Sequence, residues 1–539
     1  MRRLLRASLA IVALSIMTPA AIAETPENTL VIVREISSIS DWDPAVSQIL
    51  DVTEINNDIY ERLVGFDSRN PAEMQPILAE GWEISQDGRT ITFRIREGVR
   101  FHSGNPLTAN DVLYSFRRLL LLGREPSSNM VQLGFTAENI DANLLASDDM
   151  TFVMQLPQPI SPSLVINMLS AAAFAIVDSE LVKQNEVDGD FGSVWLSNRA
   201  SGAPSAASGP FMIQTYRPAE LVMLQRNDDY WQYTPAMQRV IFQHVHEAGT
   251  QRLLLEQGDA DVAYNLTATD AAALASVDGV KVGYYPSRRV LYFGFNTLFE
   301  PFDDPRVALA MRYLVDYQGL ADTVMKNIGV VHQTFIPQPW MGSLAETPFS
   351  LDVEKAKAIL AEAGYPDGFE FTFSAYNRKP EMDLATSFQA TAALAGVRVN
   401  FVNMPVSQLI PLYRDQQLQA MQLSFSGGYA DPHATTSKFT LNPGALPGAE
   451  PGSKWPSEMS YRLGWYPKEL SIKTMAAARE LDPEKRRQMY EELHRAAWEE
   501  SPFVHMFQVV QALGMRDNVN GYLYGARGAD VSFAAVTKE

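Results

Sequence analysis

Strand-like and helix-like periodicities alternate along the whole chain, and that alternation confines it to layered α/β architectures. Residues 79–120 carry the pattern at its sharpest. Asp87-Gly88 supplies a turn with positive φ, after which Ile91, Phe93 and Ile95 alternate with Thr92, Arg94 and Arg96 at the period of a half-buried strand. Thr108 and Asp111 then stand at capping-box spacing ahead of Val112, Leu113, Phe116, Leu119 and Leu120, the apolar face of a helix. The same grammar continues downstream. Residues 29–33 predict the first strand, and residues 208–213 with 221–224 a second hairpin. A helix over 251–257 stops at Gly258. Residues 290–297 predict a β-rich crossing strand. Asp304-Pro305, Asp352 and Asp482-Pro483 each open a helix, and Phe369, Phe371 and Phe373 alternate as a strand between them. Residues 197–209 and 441–456 are rich in small residues, Pro and Gly and read as surface loops, with cleft lip as the functional alternative.

The first residues predict an exported chain. Arg2, Arg3 and Arg6 precede an apolar run over residues 7–21, and Ala21-Ile22-Ala23 is a small-x-small cleavage site, so residues 1–23 read as a signal peptide. That run is short for a membrane span, and no later stretch is apolar for twenty unbroken residues. Cysteine is absent, which excludes disulfides, thiolate nucleophiles and thiolate metal sites. It also removes the residue a lipid anchor would need after the cleavage site. A protein free in the periplasm is the expectation. The formal charge of −19 disfavours nucleic acid and anionic lipid as partners. A length of 539 residues leaves room for two or three domains with a large core.

Motifs of catalysis are missing: no nucleophile elbow, no phosphate-cradling glycine loop, no dinucleotide fingerprint and no H-E-x-x-H. His244 and His246 would share one face of a strand, but no third ligand stands at metal spacing. No cofactor, metal or catalytic residue is expected. A hydrolase with two distant carboxylates stays open as a remote alternative.

Several ordered blocks carry a family likeness: "LAEGWE…DG…TFRIREGVRFHSGNPLTANDV", then Gly209-Pro210-Phe211 with Arg226-Asn227 and Tyr230-Trp231, then Phe295-Asn296 with Pro301-Phe302, Asp304 and Arg306-Val307. Together they resemble the extracytoplasmic solute-binding proteins of the peptide/nickel ABC-importer family, family 5. The resemblance implies an α/β, two-lobed periplasmic binding protein fold of type II, with an extra subdomain in the first lobe and a hinge of two crossovers. On it, lobe 1 covers 24–294 with an inserted subdomain near 59–188, lobe 2 covers 295–503, and 504–539 return to lobe 1. The crossovers are expected near Phe295 and near 501–505. The implied function is capture of a di- to oligopeptide by a monomer and its delivery to inner-membrane permease subunits. An oligosaccharide, opine or other small solute is the alternative cargo.

Residues 421–432 read as a strand ending in Gly427, Gly428, Tyr429 and Asp431 before Pro432. In peptide-binding members an Asp here pairs with the ligand's α-ammonium, and Asp431 matches that position; its other reading is a turn or helix cap. Gly428 and Tyr429 belong to the same candidate segment. Arg378 lies in the loop where dipeptide-binding relatives place an Arg on the ligand carboxylate, a role suited to a planar fork. Its other reading is an exposed basic loop. Trp42, in the turn after the first strand, could wall a side-chain pocket; core packing is the other reading for Trp42, Tyr429 and Trp340.

Overall fold

The computed structural model describes residues 25–47, 49–67, 70–198, 205–524 and 531–539; the expected signal peptide lies outside them, as does the middle of the 197–209 loop. The molecule is a two-lobed α/β protein organised on two long antiparallel strands, Val280–Phe295 and Phe503–Arg516. Each runs through both lobes, so the principal sheet is continuous across the molecule. On one side of this pair, Val262–Ala263, Thr29–Arg34, Arg239–His244, Leu221–Arg226 and Phe211–Arg217 follow in order. On the other side come Ala420–Phe425, Glu370–Tyr376 and Arg398–Met404. Thr29–Arg34 is parallel to both its neighbours and buried along its length, as a doubly covered parallel strand must be.

The local grammar reads through to the structure. Gly88 sits at φ 69°, the strands Ala79–Ile84 and Thr90–Ile95 pair across it, and Ile91, Phe93 and Ile95 are buried. The helix Ala109–Leu121 has the capping box formed by Thr108 and Asp111, with Val112, Phe116, Leu119 and Leu120 turned into the core. Asp111 also makes a longer-range contact. Its Oδ1 accepts the Ser179 amide at 3.0 Å, tying the helix to the segment that returns from this unit. The hairpin belongs to a separate four-stranded sheet, in which Thr90–Ile95 pairs with Thr151–Gln155 and the latter with Leu144–Asp148. Asp304, Asp352 and Asp482 cap their helices through backbone amides, as expected.

The crossing strand is longer than its sequence predicts. Val280–Phe295 begins well before Val290, and the ladder breaks between Pro286↔Val510 and Val290↔Gln508, so that residues 287–289 bulge opposite Val509 alone. Phe295 pairs with Ala420, and Phe503 pairs with Gly294, so the expected crossover positions lie within the paired length of the two strands.

The lobes touch away from the crossing strands as well. Arg414 and Arg462 both pair with Glu125, the latter at 3.4 Å, and Ser161 N donates to Ala478 O at 3.0 Å. Apolar side chains of the four-stranded unit and of the second lobe pack into one cluster that includes Phe116, Phe152, Trp340 and Phe439. No helix among the described residues is long and apolar enough to cross a membrane.

Candidate functional site

A cavity of about 570 Å³ of atom-free space, partly open to solvent, lies between the lobes beside the crossing strands. Arg34, Asp51, Glu54 and Tyr264 line it from the first lobe, Arg378 and Ser426 from the second. Ser287, Arg288, Arg289 and Gln511 reach it from the crossing strands, and Tyr524 from the C-terminal return. A solute there would touch groups on both sides of the crossing strands.

The first-lobe wall is a buried ion cluster. Arg34 ends the first strand; it pairs with Asp51 and donates to Glu54 at 2.8 Å, and its guanidinium lies 3.8 Å over the Tyr264 ring. Tyr264 Oη donates to the other Glu54 oxygen at 2.8 Å. Burial pushes the Glu54 carboxyl up, and Arg34 counters it. Burial also works against the Arg34 charge, but Glu54 and Asp51 outweigh it and hold the guanidinium well above its ordinary value. In this cluster one cation is shared by two carboxylates.

The second-lobe wall also carries a paired arginine. Arg378 closes on Glu381 through two contacts, Nη2–Oε1 at 2.6 Å and Nε–Oε2 at 3.3 Å, with its Cζ 4.7 Å over the Tyr376 ring. Arg378 therefore stands in the cavity with a counter-ion already beside it, and is not a plain exposed loop residue. Burial tends to raise the Glu381 carboxyl, and Arg378 with Arg289 holds it below the usual carboxylate range.

The bulge supplies the third wall. Ser287 Oγ donates to Val509 O at 2.9 Å and accepts the Arg289 amide at 3.2 Å, while Gln508 Nε2 donates to Ser287 O at 2.8 Å. Arg288 turns to the second lobe and donates to the Gly427 carbonyl. Arg289 takes the opposite face and turns to the cavity, with its Nε enclosed and without a hydrogen-bond partner. Burial, and after it the nearby Arg378, lower its pKa. Two consecutive arginines directly before the apolar run at 290–295 are the available signal in the sequence, but it does not say which of the two faces the interior.

Of the residues singled out in the sequence, Arg378 alone lines this cavity. Asp431 is buried and its carboxylate is held by Arg486, with Nη1–Oδ2 at 2.9 Å and Nη2–Oδ1 at 2.6 Å. It also accepts the His433 amide at 2.9 Å, the turn-capping contact expected as its other reading. Arg486 thus already compensates the charge that an α-ammonium would otherwise meet. Tyr429 is buried beside it in the interlobe apolar cluster, with its hydroxyl enclosed. Gly428 is exposed and has open space where a Cβ would stand. Its neighbour Gly427 is the constrained one, since a Cβ there would meet Ala434 Cβ at 2.9 Å and Trp340 at 3.3 Å. Trp42 does not line this cavity: it is fully buried in the first-lobe core, edge-on to Tyr216 at 5.2 Å between centroids. Asp43, the next residue, is buried as well and pairs with Arg118. His244 and His246 share Glu35, the latter at 2.5 Å, and among the described residues no group of three potential ligands could hold a metal. None of residues 441–456 lines the cavity.

A family model described as "Bacterial extracellular solute-binding proteins, family 5 Middle" matches residues 73–446. The chain belongs to family 5 of the bacterial extracellular solute-binding proteins. Among the relatives of this family 5 protein, the glutathione-binding protein GsiB of Salmonella paratyphi A is 24% identical over 467 residues, 86% of each chain. Heme-binding protein A of Haemophilus influenzae is 28% identical over 403 residues, 69% of this chain and 70% of the relative. Among solved structures, the periplasmic binding protein DppA from Helicobacter pylori in complex with the peptide STSA superposes with a TM-score of 0.82 at 21% identity, covering 95% of this chain and 98% of that one. These likenesses match the architecture built above from the crossing strands outward.

Proposed function

We propose that this family 5 protein captures a short peptide, di- to oligopeptide in length, in the cavity between its lobes and delivers it unaltered to the inner-membrane permease of an ABC importer. The observation that carries the reading is the composition of the cavity wall. It is drawn from both lobes, both crossing strands and the C-terminal return, so a bound solute contacts both lobes at once. A ligand of that kind binds the closed arrangement better than the open one and shifts the population by that difference. The bulge at residues 287–289, with Gln508 and Val509 opposite, is the proposed hinge, because there the ladder between the crossing strands is interrupted. Export through the leader at residues 1–23, release into the periplasm without a lipid anchor, and action as a monomer complete the proposal.

The test is direct. Protein purified from an expressing bacterium is denatured and the released solute identified by mass spectrometry. The stripped, refolded protein is then titrated calorimetrically with di-, tri- and oligopeptides. Retention and rebinding of a peptide, recovered intact, is the expected result. Retention of sugars alone would remove peptide as cargo, and steady consumption of any bound solute would remove the receptor role.

A further inference from the structure

The four arginines lining the interlobe cavity are not equivalent. Arg34 is matched by Asp51 and Glu54, Arg378 by Glu381, and Arg288 is committed to the Gly427 carbonyl. Arg289 makes no close ion pair among the described residues, Glu381 acting on it only from beyond contact distance, and its Nε is enclosed with nothing to donate to. An enclosed guanidinium N–H without an acceptor is unfavourable, and proteins that keep one gain something by it elsewhere. The bulge holds this residue in place: Ser287 and Gln508 fix the backbone on either side, so the side chain is aimed at the cavity by geometry rather than by a counter-ion. Hydrogen-bonding groups for the rest of a small solute stand around it, namely Tyr264, Tyr524, Gln511 and Ser426.

We infer that Arg289 is the binding residue for a carboxylate of the transported solute, which makes the cargo an acid and seats its acidic end against the crossing strands. The planar fork of a guanidinium donates to the two oxygens of a carboxylate side by side, a match that an alcohol, an amide or an ammonium group cannot make. The siting also bears on charge. The anchor lies on the bulge between the two crossing strands, so a carboxylate bound there offsets the charge that Arg289 carries into the cavity beside the Arg378–Glu381 pair. The inference deepens the proposed receptor role and depends on it only for the location of the ligand.

Three forms of the protein test it: wild type, Arg289→Gln and Arg289→Lys, each purified full length and stripped of bound solute. The probes are a mixture of dipeptides, the same dipeptides as C-terminal amides, and a panel of non-peptide monocarboxylic acids with their amides. Binding is followed by calorimetry and by the rise in melting temperature. The expected result is that wild type binds acids and loses affinity for the matching amides, and that Arg289→Gln binds the acids about 30-fold or more weakly. Arg289→Lys should recover part of that loss, since it restores the charge without the fork. Without ligand, Arg289→Gln should melt no lower than wild type, because it removes an unsatisfied cation; a structural arginine would give the opposite. Acids bound without any peptide would sink the peptide cargo and leave this inference standing. Equal binding of acids and amides, an Arg289→Gln variant that binds acids as wild type does, or no response to any acid would overturn it.

Discussion

Asp431 and Arg486 form a buried bidentate pair whose side chains are 1% and 3% exposed, so neither charge has water as an alternative partner. Removing one member leaves the other buried and uncompensated, which costs about 3–5 kcal/mol where such pairs have been broken. Asp431→Ala is therefore expected to lower unfolding stability by about that amount, read from urea midpoints, and Asp431→Ala with Arg486→Met to recover most of it. A variant that keeps its stability and loses only ligand affinity would restore Asp431 to the site. The sequence displays Asp431 before Pro432 clearly and offers cap and anchor as readings, but Arg486 lies 55 residues away and nothing local announces it. Arg378 was legible only through the family likeness, which places an Arg in this loop; the local sequence alone reads equally as an exposed basic loop. Arg289 was not, because a guanidinium in a strand reveals its face only once the bulge and the opposing strand are known.

At the scale of single elements, local chemistry was the part most fully legible. Turns, caps and stop signals act within four residues, and Gly88, Thr108, Gly258, Asp304 and Asp482 all do what their neighbours require. The crossing strand was foreshortened because Pro286 reads as a strand breaker. In the fold, Pro286 stands at the edge of the bulge, where the ladder is already interrupted. The capping box allows a graded prediction. Thr108→Ala removes one cap and should cost about 1 kcal/mol. Asp111→Ala removes the reciprocal cap and also the acceptor of the Ser179 amide, so it should cost about 1–3 kcal/mol more. Denaturant titrations of the two variants check the order, and equal losses would mean the Ser179 contact contributes nothing.

Across the whole molecule, acid should act unequally on the two lobes. Buried His332 and His433 are each lowered to about 4 by burial, and His494 and His505 well below their ordinary value for the same reason. Each binds a proton more readily unfolded than folded, so the stability it confers is complete above pH 6.5 and is lost as pH falls toward 4. Each adds a slope of up to about 1.4 kcal/mol per pH unit in that window. In the first lobe, Asp58 and Glu61 are pushed up to about 7 by burial. Protonating them as pH falls through 7 removes a penalty, which is the opposite sign. Hydrogen exchange at pH 7 and pH 5, corrected for intrinsic rates, should show protection falling more in the histidine-rich lobe; equal or reversed change would refute the assignment. None of this was legible beforehand, since seven scattered histidines reveal their burial only after the lobes are built.

Delivery of an unaltered solute by this molecule requires that a guest be held between two lobes and that holding it favour their closure. Small-angle scattering of stripped protein, recorded with and without the solute it releases, measures this directly. A radius of gyration that falls on addition of the solute, and rises again on its removal, is the predicted result. A saturated protein whose scattering does not change at all would contradict it.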